Sequence, residues 1–130
     1  MIGYATLGTN DLPRAAKFYD ALLGTIGAKR WMESEKFVVW TVSPTTPGLG
    51  VITPHNGKPA TVGNGMMVAL AVESRAKVDE LYAKALALGG KDEGKPGSRG
   101  EMSPGQEFYG AYFRDLEGNK LCAFKIGPKA

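Results

Sequence analysis

The sequence predicts an α+β protein made of two tandem βαβββ modules, and three observations support this. The chain has 130 residues, enough for one ordinary domain and few for two independent cores. It repeats itself once: a shift of 63 residues aligns residues 4–27 with residues 67–90 without a gap. Its 18 glycines and 8 prolines make up a fifth of the chain, against roughly 12% in average proteins, which favours many turns between short strands.

The repeat fixes the predicted domain organisation. The segment Tyr4-Ala5-Thr6-Leu7 falls on Met67-Val68-Ala69-Leu70, so each copy begins with a short apolar strand. We predict a single domain over residues 1–130, with module 1 at about 1–55, a linker at about 56–64 and module 2 at about 65–127.

In the first module the pattern predicts a strand over residues 2–8, followed by a helix. Asp11 is a candidate N-cap, and Pro13 is tolerated in a first turn whose N–H groups lack partners. Apolar residues then recur at spacings of three and four, and Gly24 and Gly27 end the helix. The apolar stripe consists of Leu12, Ala15, Tyr19, Leu22 and Leu23.

In the second module the same signals predict a strand over residues 66–72 and a helix capped by Ser74. Gly89-Gly90 ends this helix. Its apolar stripe consists of Val78, Leu81, Tyr82, Ala85 and Leu88.

Further strands follow each helix. In the first half we predict strands at about 27–32, 37–42 and 49–53, separated by prolines and glycines. In the second half, strands over 108–114 and 120–126 flank the turn-forming run Asp115-Leu116-Glu117-Gly118-Asn119, which predicts a hairpin. Residues 91–107 are polar and rich in glycine and proline, so we expect a long surface loop there with at most one short strand.

Composition excludes several functional classes. One cysteine and one histidine exclude an internal disulfide, a cysteine-based zinc cluster and any site with several histidines. A net charge of +3 is too small to indicate a nucleic-acid partner. The sequence has no apolar run near the ~20 residues of a membrane span and no signal peptide, so we expect a cytoplasmic protein without a membrane partner.

Three local motifs resemble the glyoxalase, bleomycin-resistance and extradiol-dioxygenase superfamily, also called the vicinal oxygen chelate proteins. The first-helix run from Asn10 to Tyr19 is similar to the family's Asp-Leu pair followed by a Phe-Tyr pair. Ser74 to Asp79 resembles the opening of the second helix in bacterial glyoxalase-like proteins. The run from Tyr109 to Asn119 is similar to the family's late hairpin. The resemblance covers nearly the whole chain and implies curved mixed sheets around a cup-like pocket.

The resemblance also implies where metal-using relatives bind a divalent cation. The matching positions here are Tyr4, Met67 and Cys122, with a fourth near Val51 or Ile52. A phenol, a thioether and a thiol with no carboxylate are a poor ligand set for Mn, Fe, Ni or Zn. We therefore expect no metal cofactor.

Tyr4, Met67 and Cys122 are then either core-filling residues or the lining of a ligand pocket. Trp40, Tyr109 and Tyr112 could line the same pocket or belong to the core. Lys95 and Arg99 could form a lid that meets an anionic ligand, or lie in a solvated loop.

The sequence leaves two alternative roles open for each of two further residues. His55 is either a solvated loop residue or a base or lone metal ligand. Cys122 is either an inert buried thiol or, with His55, a nucleophile–base pair.

The sequence leaves three classes of function open: a binding protein, an enzyme and a structural domain. The first is a protein that has lost the family metal ligands and binds a small neutral or anionic molecule, possibly aromatic. The alternatives are a lyase, isomerase or dioxygenase-type enzyme of the same superfamily, either metal-free or using non-standard metal ligands, and a structural domain with a filled pocket. The resemblance implies a homodimer in each case, and closed two-fold pairing is the commonest assembly. Whether the modules pair within one chain or between chains stays open.

Overall fold

A computed structural model describes residues 1–129 and divides the chain into two compact units, with the boundary between Asn64 and Gly65. No helix within those residues is both long enough and apolar enough to cross a membrane.

The first unit contains one helix and one four-stranded sheet. Its elements in chain order are β1 (Tyr4–Gly8), α1 (Leu12–Gly24), β2 (Lys29–Glu33), β3 (Phe37–Thr41) and β4 (Gly48–Ile52). The strand order is β1-β4-β3-β2, with β1 parallel to β4 and the remaining neighbours antiparallel.

The second unit repeats this arrangement. Its elements are β5 (Val68–Ala71), α2 (Arg75–Ala87), β6 (Lys91–Ser103), β7 (Gln106–Arg114) and β8 (Lys120–Pro128). The order β5-β8-β7-β6, again with the first pair parallel, is that of the first unit. The predicted α+β fold of two βαβββ modules is therefore confirmed.

Both predicted helix caps form. The Asp11 carboxylate accepts a hydrogen bond from the backbone N–H of Arg14 at 3.1 Å, and the Ser74 hydroxyl accepts one from that of Lys77 at 3.1 Å. Each bond satisfies a donor that the first turn of a helix leaves without an intrahelical partner. The buried face of each helix follows its apolar stripe. The buried residues are Ala15, Ala16, Phe18, Tyr19, Leu22 and Leu23 in α1, and Val78, Leu81, Tyr82 and Ala85 in α2.

The turn between β7 and β8 is organised by one buried carboxylate. Asp115 Oδ1 accepts from the backbone N–H groups of Glu117 and Asn119, each at 2.9 Å, and Oδ2 accepts from Asn119 Nδ2 at 3.0 Å. Gly118 has φ +95°, a conformation that residues with a Cβ rarely adopt. The predicted hairpin is confirmed, and this turn fixes its register.

The prediction of a long surface loop over residues 91–107 is wrong. Residues 91–103 form β6, a strand of 13 residues that pairs with β7. Its register shifts four times, so side chains do not alternate between the faces as they do in a regular strand.

Each sheet has one face packed against its helix and one face turned away from it. In the second unit, Ala111 and Phe113 of β7 and Leu121 and Ala123 of β8 are buried on the α2 side, as their register pairing and alternation require. We call the opposite side the helix-distal face of the second sheet. It is made by Phe108, Gly110 and Tyr112 of β7 and Lys120, Cys122 and Phe124 of β8.

Candidate functional site

Tyr4 stands at the start of β1, where the family's first metal ligand is expected. It pairs with Gly48 of β4 and is 53% exposed. A Cβ built on Gly48 would lie 3.4 Å from Cε3 of Trp31, so the exposed Trp31 indole of β2 reaches across β3 to the glycine that pairs with Tyr4. The surroundings of Tyr4 are aromatic and glycine-rich.

In the first unit the residue equivalent to Cys122 is Gly50, one residue before Val51, near which the fourth family position is expected. In the second sheet Cys122 pairs with Ala69. The 63-residue repeat makes Ala69 equivalent to Thr6, and Thr6 pairs with Gly50 in the first sheet. A Cβ on Gly50 would lie 2.8 Å from Val39 Cγ2 and 2.9 Å from the Val38 carbonyl oxygen. These distances leave no room for a ligating side chain unless neighbouring atoms shift.

Met67 and Cys122 occupy the corresponding positions in the second unit. Met67 immediately precedes β5 and is 42% exposed, whereas Cys122 is fully buried in β8. Burial raises the pKa of the Cys122 thiol, and this outweighs the opposing effects of a hydrogen bond to Tyr112 and of the nearby Arg99 and Lys120 charges. Cys122 is therefore a neutral thiol near pH 7, and a neutral thiol is a poor nucleophile.

The residues present do not fit a divalent cation. The candidate positions offer an exposed phenol, a thioether, a buried thiol and a glycine without a side chain, which together make a poor ligand set for Mn, Fe, Ni or Zn. Residues 1–129 also contain no group of three or more His, Cys, Asp or Glu side chains that could hold a metal ion.

Trp40 lies on the α1 side of its sheet. Its side chain is 2% exposed, its ring packs 5.7 Å from that of Tyr19, and its indole N–H donates to Asp20 Oδ1 at 2.8 Å. Arg30 donates to both oxygens of the same carboxylate, which lowers the pKa of Asp20. The burial of Trp40 against α1 does not match its predicted role in lining a pocket.

Tyr109 also lies on the helix side. Its hydroxyl donates to Asp79 of α2 at 2.7 Å, and the Arg75 guanidinium lies 5.1 Å from the ring centre. The bond to the carboxylate, with burial second, raises the pKa of Tyr109. These contacts hold the start of α2 against β7, which is a structural role.

Tyr112 lies on the helix-distal face and brings two cations together. The Arg99 guanidinium is 5.2 Å and the Lys120 ammonium 5.6 Å from the centre of its ring. A Cβ on Gly94 would lie 2.9 Å from Tyr112 Cδ2, so the glycine in β6 makes room for this ring. Of the three aromatic residues predicted to line a pocket, only Tyr112 is on this face of the second sheet.

Arg99 and Lys95 are on strand β6 and not on a loop. The Arg99 guanidinium donates to the carbonyl oxygens of Lys95 and, at 3.3 Å, of Gly110. These bonds hold Arg99 across the edge of the sheet. Arg99 thus joins the site as part of a strand, whereas Lys95 contributes its backbone to this contact.

Lys120 and a pair of phenylalanines complete the site, and sequence reasoning did not select them. Phe108 and Phe124 stack with ring centres 5.0 Å apart and planes 7° apart. A Cβ on Gly110 would lie 2.6 Å from Phe108 Cε1, so the Phe108 ring lies against this glycine. A sequence signal for two of them exists: side chains alternate along a strand, so Lys120 and Phe124 are expected on the same face of β8 as Cys122.

Two units of the same βαβββ topology, with the family's late hairpin between β7 and β8, define the class of protein. A family model described as Glyoxalase/Bleomycin resistance protein/Dioxygenase superfamily matches residues 1–123. The chain belongs to this superfamily.

Solved structures agree with that assignment. A glyoxalase/bleomycin resistance protein from Albidiferax ferrireducens T118 is 39% identical with a TM-score of 0.85, over 96% of this chain and 98% of that one. The hypothetical protein SA1046 from S. aureus is 27% identical with a TM-score of 0.70, over 96% of this chain and 92% of that one.

A lactoylglutathione lyase from Agrobacterium tumefaciens is 21% identical with a TM-score of 0.67, over 96% of this chain and 92% of that one, and shows the fold alone. No functionally curated protein matches the chain.

Proposed function

We propose that this protein binds a small aromatic anion on the helix-distal face of its second sheet and has lost the metal ligands of its superfamily. The observation that carries the proposal is the placement of Arg99 and Lys120 beside the Tyr112 ring. The ligand then belongs to the anionic, aromatic part of the class expected from the sequence.

The two cations are available to an anion. Within residues 1–129, neither Arg99 nor Lys120 forms an ion pair with a carboxylate. The carboxylate of Asp92, also in β6, accepts hydrogen bonds from the Tyr82 hydroxyl and from the backbone N–H of Gly94. These bonds lower the pKa of Asp92, and the Lys95 and Arg99 charges contribute less, so Arg99 interacts with this carboxylate without forming an ion pair. A carboxylate 4 Å from a cation at a protein surface gains about 4 kcal/mol of Coulomb energy before desolvation and screening.

The aromatic residues favour a planar ligand. Phe108, Tyr112 and Phe124 are all partly exposed on the same face. Ring stacking contributes ~0.5–1.5 kcal/mol beyond the buried area. An aromatic acid would use both features, with its ring on these side chains and its carboxylate at the cations.

The bound molecule would meet Cys122 only as a packing neighbour. The thiol is fully buried and its pKa is raised, so it supplies a small apolar floor and not a nucleophile. This arrangement supports binding and includes no acid–base or nucleophilic pair.

The test compares benzoate with the uncharged benzamide and the cationic benzylamine by isothermal titration calorimetry. We expect benzoate to bind at least tenfold more tightly than either analogue. Arg99→Gln and Lys120→Gln should each remove most of this preference. Lys125→Gln is the matched control, because Lys125 lies in the same strand but pairs with Tyr109 on the other face. Equal affinity for all three compounds, or an equal effect of the control, would refute the proposal.

A second measurement tests the loss of metal. Protein purified without chelator should contain no stoichiometric metal, and low micromolar Ni, Zn, Mn or Fe(II) should leave the melting temperature unchanged. Stabilisation by one of these ions would contradict the proposal and favour a lyase, isomerase or dioxygenase-type enzyme of the superfamily.

A further inference from the structure

The first unit has a cleft where two parallel strands end. Thr9 directly follows β1 and Thr53 directly follows β4, and both line a cleft of about 380 Å³. In α/β structures the carboxyl ends of neighbouring parallel strands are a common location for ligands. This cleft lies beyond the strand ends and contains His55, which the proposed aromatic-anion site does not use.

Hydrogen bonds fix both walls of the cleft. Asn10 accepts from the backbone N–H of Ala60 at 2.6 Å and donates to its carbonyl oxygen at 3.3 Å, which ties the segment after β4 to the segment after β1. The backbone N–H and the hydroxyl of Thr53 donate to the Lys36 carbonyl oxygen at 2.9 and 3.3 Å. The turn before Lys58 closes at Gly57, whose φ is +74°.

The charged lining of the cleft is entirely basic. Lys36 and Lys58 line it together with His55, and no carboxylate is among the lining residues. Neither lysine forms an ion pair with any other part of the chain that the structure describes. Two lysines and a histidine therefore line one small volume whose lining includes no carboxylate.

We propose that this cleft binds a phosphate group, either the free ion or the phosphate of a small monoester. A phosphate carries up to two negative charges and several acceptor oxygens, which match two ammonium groups and an imidazole N–H. The volume exceeds that of the ion alone, and Pro54 and Pro59 supply apolar walls for an organic substituent. The site is independent of the aromatic-anion site of the second unit.

The experiment is a ¹H–¹⁵N NMR titration with inorganic phosphate, phenyl phosphate and phenol, at fixed pH and constant ionic strength. We expect both phosphates to shift the amide signals of Thr9, Thr53 and His55, and phenol to leave them unchanged. Tighter binding of phenyl phosphate would identify a monoester as the ligand, and equal affinity would identify the free ion.

Variants separate this cleft from general attraction to a basic protein. Lys36→Gln and Lys58→Gln should each weaken phosphate binding about tenfold, or ~1.4 kcal/mol. Lys29→Gln, an exposed lysine of β2 outside the cleft, should leave it unchanged. An equal loss in Lys29→Gln, or shifts spread over exposed lysines throughout the chain, would overturn the proposal.

Discussion

Replacing Gly50 by alanine should destabilise the first unit, because β4 has no room for a side chain at this point. The new Cβ would lie 2.8 Å from Val39 Cγ2 and 2.9 Å from the Val38 carbonyl oxygen. Val39 is itself fully buried, and the Val38 oxygen belongs to the backbone of the adjacent strand. Relief of both contacts therefore requires β3 and β4 to separate locally.

The cost follows from overpacking. Inserting one methyl group into a well-packed site costs roughly 1–3 kcal/mol. For a chain of this length, each kcal/mol lowers the melting temperature by about 4 °C. The expected decrease for Gly50→Ala is therefore about 4–12 °C, measured by circular dichroism during thermal unfolding.

Gly97→Ala is the matched control. Gly97 is also in a strand, β6, but a Cβ there would meet no atom within 4 Å. Its melting temperature should stay within about 2 °C of the parent, the usual range for surface substitutions. If Gly50→Ala melted at the same temperature as Gly97→Ala, the steric argument against a ligating side chain at Gly50 would fail.

Two further predictions concern the second unit. Asp115→Ala should lower the free energy of unfolding by about 2–4 kcal/mol, because it removes the acceptor of three hydrogen bonds in a buried turn; urea unfolding checks this, and a loss below about 1 kcal/mol would contradict it. Burial, with the bond to Asp92 second, raises the pKa of Tyr82 from 10.0 to about 12. Protonated Tyr82 thus stabilises the fold fully below pH 10, and this contribution disappears as the pH rises through about 12. Unfolding measured at several pH values in this range should show a shallower alkaline decline for Tyr82→Phe, with a residual slope from Tyr109, whose pKa is also raised; an unchanged decline would refute this.

The helices could be predicted from sequence because their signals are local. Asp11 and Ser74 each precede an apolar stripe at helical spacing, and a glycine follows each helix. The structure places α1 and α2 within a residue or two of the expected bounds. The repeat strengthened both predictions, since each module gave the same order of signals.

Strand β6 could not be predicted in the same way. Its residues include three glycines and one proline, which are typical of loops. Pairing with β7 provides the stabilisation, and the register shifts remove the alternation that would have revealed a strand. Strand β6 therefore forms because it pairs with β7, and this pairing leaves no local signal in the sequence of β6.

The candidate site was predictable in residue type but not in orientation. Tyr109 and Tyr112 are three residues apart in one strand, so they must face opposite sides of the sheet. Sequence alone did not say which side α2 would cover. The contact of Tyr109 with Asp79 settles this and leaves Tyr112 with Arg99 on the other face.

The two units use equivalent positions in opposite ways. The register makes Gly50 equivalent to Cys122, and the antiparallel partners Val39 and Tyr112 are equivalent in turn. In the first unit Val39 fills the space above a glycine, which closes the position to any side chain. In the second, Tyr112 covers a buried thiol and holds its ring between β6 and β8, where cations from both strands approach it. Neither position carries a carboxylate or an imidazole, and in the second unit Arg99 and Lys120 lie beside the Tyr112 ring, which is the arrangement on which the proposed binding of an aromatic anion rests.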